Sequence, residues 1–513
     1  MPAFSIPGSK LVSLLALGAL CVAPALARAE DPPAGGASSE ALERLQKRIA
    51  DLEARAAAAE KRAEEKRAAE DKKAADDKKA AEEKKIAEAN APSVPTPFGF
   101  ADFSWAPGNK APSESPLKWG PFTGELRVDT VYHYSFNHPK DDTIAGSSEV
   151  FRHNEVQVTQ LGIGGDFYYK GVQARLMTQF GMYATTTARN DASPGRGQWQ
   201  LDNAYRYISE AYGGYHWDVL SGINLQAGIF MSYVGLWSYY NFDNWTYQPS
   251  YVSSNTPWFF NGVRLQIFPS ERLKIEPWIV NGWQAYGKFN QAPGVGLQIK
   301  WAPSDRVMIV GNQYFGTDTL GVPGRKRLHT DDSVMVKYHD NPGGAFSKAA
   351  ASLTVDVGCE FGEGEPQNGV PAVDCKSQYF LGFMAYARFW LASDRVGLTV
   401  GGGAIENPGR YLVLIPPING ATAYSGTPYF TANPKDRYRA WDLQIAADYM
   451  PRDFVTFRLE FNHRAASVPY FAGPGGITPP GGNQGAPGST VTGWKPDLVK
   501  SEDRLTVALM VRL

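Results

Sequence analysis

Pro451-Arg-Asp-Phe-Val-Thr-Phe-Arg-Leu-Glu-Phe-Asn462 sets a turn signal directly before a strand signal. Pro and Asp favour the early positions of a type I turn. From Val455 onward, apolar Val455, Phe457, Leu459 and Phe461 alternate with Thr456, Arg458, Glu460 and Asn462. Side chains on a strand point to opposite faces in turn, so one face is greasy and the other polar. The same punctuation recurs at Pro269-Ser-Glu-Arg272, Pro303-Ser-Asp-Arg306 and Ala392-Ser-Asp-Arg395. Between these short turns lie long alternating segments whose other ends are joined by longer loops. That combination is the pattern of an all-β transmembrane antiparallel β-barrel of the bacterial outer membrane.

A soluble sandwich also alternates, with its apolar face turned inward. Two features argue against it. The segments exceed the usual strand length, and Arg127, Arg175, Arg264 and Arg388 sit in mid-strand, where a polar lumen would accept them. The spacing predicts about sixteen strands, with 14 or 18 left open. They run 122–136, 150–168, 171–187, 203–217, 222–234, 257–268, 272–284 and 292–302 in the first half. The second half runs 306–317, 331–340, 349–360, 377–391, 395–407, 436–450, 453–465 and 501–513. An even count leaves both ends of the barrel on the periplasmic side, and a barrel of this size leaves an aqueous channel.

Composition narrows the class. Charged residues make up 20% of the chain and mean hydropathy is −0.32, which excludes a helical membrane protein. Aromatic residues at 12% suit two girdles at the membrane interfaces. Net charge is −1 and no basic patch or recognition motif points to nucleic acid. Only seven His occur, and His133, His216, His339 and His463 have no paired nucleophile motif. The expectation is therefore no enzyme, no cofactor and no metal.

Residues 1–29 read as a signal peptide: Lys10 opens a positive region, Leu11 to Ala25 is apolar, and Ala27-Arg-Ala29 suits cleavage. Residues 30–96 form a second unit and 97–513 the barrel. Leu42, Leu45, Ile49 and Leu52 begin a 3-4 seam suited to an α-helical coiled coil. Beyond it, six-residue Ala/acid/Lys repeats hold no single apolar stripe, so a solvated helix and a flexible charged linker are equally open. The segment 39–90 would stand in the periplasm, as an oligomerisation handle or a cell-wall contact. Ala91-Pro-Ser-Val-Pro-Thr-Pro97 ends it.

The candidate pore-lining charges are Arg127, Asp129, Arg175, Arg264, Lys300, Arg388, Arg458 and Glu460. Lys274, Glu276, Asp442 and Asp448 share that inward register. Seven cations against five anions suggests a weak anion preference, although a mutually neutralising salt-bridged wall is the alternative. Trp237, Tyr239, Tyr240, Trp245 and Tyr247 fall in the third long loop. Folded inward, their rings would form a constriction or a stacking surface; otherwise they pack the loop or join the outer girdle. Cys359 and Cys375 flank a Gly/Pro/Glu-rich outward loop, and an oxidising compartment favours a disulfide between them.

Phe98-Gly-Phe-Ala-Asp-Phe-Ser-Trp105, Asn244-Trp-Thr-Tyr-Gln-Pro-Ser250, Pro257-Trp-Phe-Phe-Asn-Gly-Val263 and Val280-Asn-Gly-Trp283 resemble the β-barrel porin family of OmpL-like outer-membrane proteins. The resemblance is closest over 98–320. It implies a barrel in outer-membrane lipid that passes small hydrophilic solutes or ions passively, with no catalytic residues to carry over. The C-terminal Val511-Arg-Leu513 departs from the Phe or Trp common in such barrels. A homotrimer fits both the porin analogy and the N-terminal seam. The competing reading is a structural or adhesion protein that anchors the envelope through its stalk.

Overall fold

The computed structural model describes residues 38–89, 96–110, 112–147, 149–364, 371–409, 419, 437–486, 489 and 491–513. The expected signal peptide and most of the Pro-rich linker lie outside the described residues. One helix, Ser38–Ala89, belongs largely to its own unit. Its Leu42, Leu45, Ile49 and Leu52 are all more than half exposed, so the seam is uncovered by the described residues of one chain.

Sixteen strands form the barrel wall. The first eight are β1 Phe122–Ser135, β2 Val156–Tyr169, β3 Val172–Thr178, β4 Ile208–Trp217, β5 Ile223–Met231, β6 Phe259–Ser270, β7 Leu273–Val280 and β8 Gly294–Ser304. The rest are β9 Val307–Gly316, β10 Arg325–Asp340, β11 Phe346–Gly362, β12 Tyr379–Leu391, β13 Val396–Asn407, β14 Tyr438–Arg452, β15 Val455–Ala466 and β16 Ser501–Arg512. Every strand pairs antiparallel with its sequence neighbours. The barrel closes where β16 meets β1, with Thr506 opposite His133 and Met510 opposite Asp129.

The alternation does what its period dictates. On β14 and β15, Trp441, Leu443, Ile445, Phe457 and Leu459 are exposed, while Asp442, Gln444, Arg458 and Glu460 between them are buried. An apolar exterior around a polar interior is the arrangement lipid requires. The short turns, Glu271-Arg272 and Asp305-Arg306 among them, gather at one end. Segments such as 136–155, 179–207, 232–258 and 467–500 connect the other end.

Three expectations need correction. The third strand stops at Thr178, because after it apolar and polar residues no longer alternate and Tyr183–Thr186 turns helical. The tenth begins at Arg325, since Arg325 and Arg327 face inward onto Glu360 instead of forming a charged loop. The Ala392–Arg395 connection is not a type I turn. Ala392, Ser393 and Asp394 all have positive φ, a region costly for side-chain-bearing residues. Asp394 anchors that turn by accepting from Ser347 Oγ and pairing with Lys348.

Candidate functional site in the barrel lumen

Two stretches of chain fill much of the lumen. The first, residues 98–110, enters at the short-turn end, where the Phe98 N–H donates to Glu271 O at 2.7 Å. The second is the third long loop, 232–258, which is almost wholly buried. They meet inside the barrel. Trp245 Nε1 donates to Trp105 O at 3.0 Å, and the Gly108 N–H donates to Asp243 O. Gly108 has φ +75, and a Cβ there would sit 2.8 Å from Leu236 O, so the approach needs glycine.

The wall holds the loop by its backbone. Glu460 accepts from the Tyr247 and Gln248 N–H groups, and Asp442 accepts from the Tyr251 N–H at 2.8 Å. Arg458 donates to Asn244 O at 2.7 Å, and Arg388 to Trp245 O at 3.3 Å. Asp129 accepts from Asn241 Nδ2 and the Tyr247 hydroxyl. A loop without ladder bonds needs such partners once buried. Lys110 adds a tie from the first stretch, donating to Thr456 Oγ1 at 2.6 Å.

All eight candidate charges point into the lumen, and four of them are neutralised there by ion pairs. Arg127 pairs with Glu125 and Asp243. Arg175 pairs with Glu125, Asp166 and Glu210. Arg388 and Arg458 share Asp448, each at 2.8 Å or less. Arg264 differs: it donates to Gln226 and lies 4.5 Å from the Phe230 ring, with no ion pair among the described residues. The sequence count of seven cations against five anions left out inward charges of both signs, among them Glu125, Glu210, Arg464 and Arg504, so it does not measure the charge of the lumen. Glu125 was legible, since it shares the inward parity of Arg127 and Asp129. Nothing in the sequence flagged Asp243 or Trp105 as lumen residues.

Trp237, Tyr239, Tyr240, Trp245 and Tyr247 are each 5% exposed or less. They pack inside the barrel instead of joining an outer girdle. Tyr239 stacks near Tyr183 and Trp258; Tyr240 donates to Glu210 and sits over the Arg127 guanidinium. They present little free face on which a solute could stack.

Water reaches one side of the lumen more than the other. Inward side chains on β14, β15 and β16, from Asp442 through Thr506, are buried. Gln173, Arg175, Tyr212, Arg264, Gln266 and Lys274 on β3 to β7 keep partial exposure. Toward the long-loop end this side is narrowed by packed rings, Phe230, Tyr233, Phe260, Trp278, Trp283 and Tyr314. Arg264 lies against the inner edge of that cluster, within 5.4 Å of Trp278 as well.

In the loop after β9, Asp318 accepts from the Trp283 N–H and the Tyr314 hydroxyl. Burial pushes its carboxyl above the usual range, while Arg327 pulls it back. At the same end, Cys359 and Cys375 are bonded, with Cα atoms 5.1 Å apart. Among the described residues no group of three or more His, Cys, Asp or Glu is placed to hold a metal.

The family described as "Putative beta-barrel porin-2, OmpL-like" matches residues 121–511. No curated protein matches the chain. Among solved structures, OmpT of Vibrio cholerae aligns at 9% identity and TM-score 0.43, over 77% of this chain and 99% of its own. The outer membrane channel DcaP of Acinetobacter baumannii aligns at 12% identity and TM-score 0.42, over 76% and 97%. An anion-selective porin from Comamonas acidovorans aligns at 8% and 0.43, over 76% and 99%.

Proposed function

The chain belongs to the OmpL-like β-barrel porin-2 family, and from that premise we propose that it passes small hydrophilic solutes or ions along one side of a half-filled lumen. The barrel is an outer-membrane porin barrel; the route within it is the new element. The observation that carries the route is the partial exposure of Gln173, Arg175, Arg264, Gln266 and Lys274 beside a wall that is otherwise sealed. Arg264, which makes no ion pair among the described residues, is the charge that sets selectivity, because fixed charge at a narrow point governs which ions pass. The loop aromatics narrow the lumen by occupying it.

Planar-bilayer recording in a salt gradient tests this. Arg264→Ala is expected to move the reversal potential toward cation preference. Arg127→Ala and Arg458→Ala should move it less, since both side chains are buried away from the exposed side of the lumen, and lower heat resistance instead. Equal shifts at all three positions would place the route elsewhere.

The short-turn end is the periplasmic one, so residues 30–96 enter from the periplasm; the Phe98–Glu271 contact supports this. Residues 1–29 are a removable leader, and the charged helix Ser38–Ala89 is the segment that touches the cell wall. Assembly is as a homotrimer through the β9–β10 face. There Asp332 is exposed at mid-strand on the outer wall, accepting from Thr330 Oγ1 at 2.9 Å, beside outward-facing Gln313. Other outward carboxylates among the described residues, such as Glu406 and Asp503, sit near strand ends, whereas a charge at mid-depth is costly against lipid. Asp332→Arg is expected to convert trimer to monomer in light scattering of the detergent-solubilised protein; an unchanged mass would remove this face from the interface.

The second reading, an envelope anchor, draws on the filled lumen and the exposed helix seam. Folded, inserted protein that conducts nothing would favour it. No catalytic role is proposed.

A further inference from the structure

A cavity of about 260 Å³ lies between the two lumen stretches and the wall of β7 to β10. Its lining holds two lysines, Lys274 and Lys300, and no Asp or Glu. These lysines are direct cross-strand partners, an arrangement that like charges disfavour. One carboxylate, Glu276, answers them, and it is already engaged. It takes Lys274 Nζ at 3.0 Å, Trp278 Nε1 at 2.9 Å and Gln266 Nε2. Among the described residues Lys300 meets Asn109 Oδ1 at 3.4 Å and the Phe98 ring at 5.2 Å, and makes no ion pair.

The same cavity has donors to spare. The indole N–H groups of Trp237 and Trp258, both lining residues, are buried and have no acceptor. Buried donors left unpaired are uncommon in folded proteins and point to a missing partner. Gln298 Nε2 is a further donor on the lining, already taken by Tyr233 O and Asn312 Oδ1. Asn109, Ser232 and Ser238 add polar groups, and Met231, Leu236, Met308, Val310 and Met335 give the lining an apolar part. Surplus cation, spare N–H donors and an apolar floor fit one ligand chemistry.

We infer that this cavity binds a small organic anion, a carboxylate carried on an apolar body, with its charge on Lys300 and its body among the methionines and rings. The site rests on the porin reading, because such a ligand reaches it only through the lumen; it adds a solute class to that reading. A bare inorganic anion would meet the lysines and leave the apolar lining uncovered. A neutral aromatic would cover the lining and leave Lys300 unanswered.

Calorimetric titration of the full chain in detergent micelles tests this, with sodium benzoate as probe and benzyl alcohol and inorganic phosphate as controls. Saturable binding of benzoate alone is expected. Lys300→Gln should weaken it by about tenfold or more, as loss of a charge-assisted contact does. Trp258→Phe keeps the ring and removes the N–H, and should weaken binding by a smaller factor. It serves as the second variant if Lys300→Gln does not fold, folding being judged by heat-dependent gel mobility. Equal binding of benzyl alcohol, indifference to both substitutions, or no benzoate heat from folded protein would overturn the inference. Salt conductance without benzoate separates the two readings: a conducting barrel that ignores benzoate sinks only this site, and a silent barrel that binds it sinks the porin route.

Discussion

Removing residues 98–110 is expected to raise single-channel conductance several-fold, the largest change any alteration of this chain should produce. The stretch occupies lumen volume and holds the third long loop from below. Trp105 is only 2% exposed and packs in one cluster with Trp237, Trp245 and Trp390. Its backbone oxygen is the acceptor for Trp245 Nε1, and Lys110 reaches across to Thr456. The wall does not depend on it, because β16 and β1 close the barrel through their own ladder. The shortened protein should therefore still shift with heat on a gel as a folded barrel. Conductance unchanged in such a barrel would mean that permeating ions never pass this stretch. Gly108→Val is the milder version, since its side chain would collide with Leu236 O and push the two stretches apart.

Asp448→Asn should have the second-largest effect, on stability and on current noise together. Asp448 is fully buried and is shared by Arg388 and Arg458, which are themselves 3% and 2% exposed. Neutralising it leaves two guanidinium groups in the lumen without their shared counter-charge, and breaking a buried pair in this way typically costs about 3–5 kcal/mol. Both arginines also hold loop carbonyls, at Trp245 and Asn244. Their displacement should free the loop, so open-channel current should become noisy while the thermal transition falls. A quiet channel with an unaltered transition would show that Glu460 or another neighbour compensates.

The wall was legible in the sequence because a strand's period of two leaves no freedom about facing. Arg458 and Glu460 had to lie on the side opposite Phe457 and Leu459, and they do. Strand ends were less legible where charge mimics a loop, as at Arg325 and Arg327, or where alternation decays, as after Thr178. The filling of the lumen was not legible. An aromatic-rich loop satisfies an outer girdle as well as an interior. What decides is that Asp129, Asp442 and Glu460 offer acceptors to the loop's own N–H groups, across separations as large as 213 residues. Residues 98–110 carry no periodicity at all, so only their resemblance to a family marked them out, and that resemblance said nothing of where they sit.

Those separations split the molecule into two kinetic classes. Wall contacts within each hairpin join neighbours in the chain and can zip over a short closure, whereas the seam that closes the cylinder, Thr506 against His133, spans 373 residues. The filling contacts are remote: Lys110 meets Thr456 across 346 residues, and Tyr247 meets Glu460 across 213. Closing such long loops carries an entropic cost that delays them. Each new copy of the barrel therefore gains its hairpins first, and closes its cylinder and settles its contents later. Until both late steps are done it leaks, and the time to seal is governed by these remote contacts, not by the hairpins.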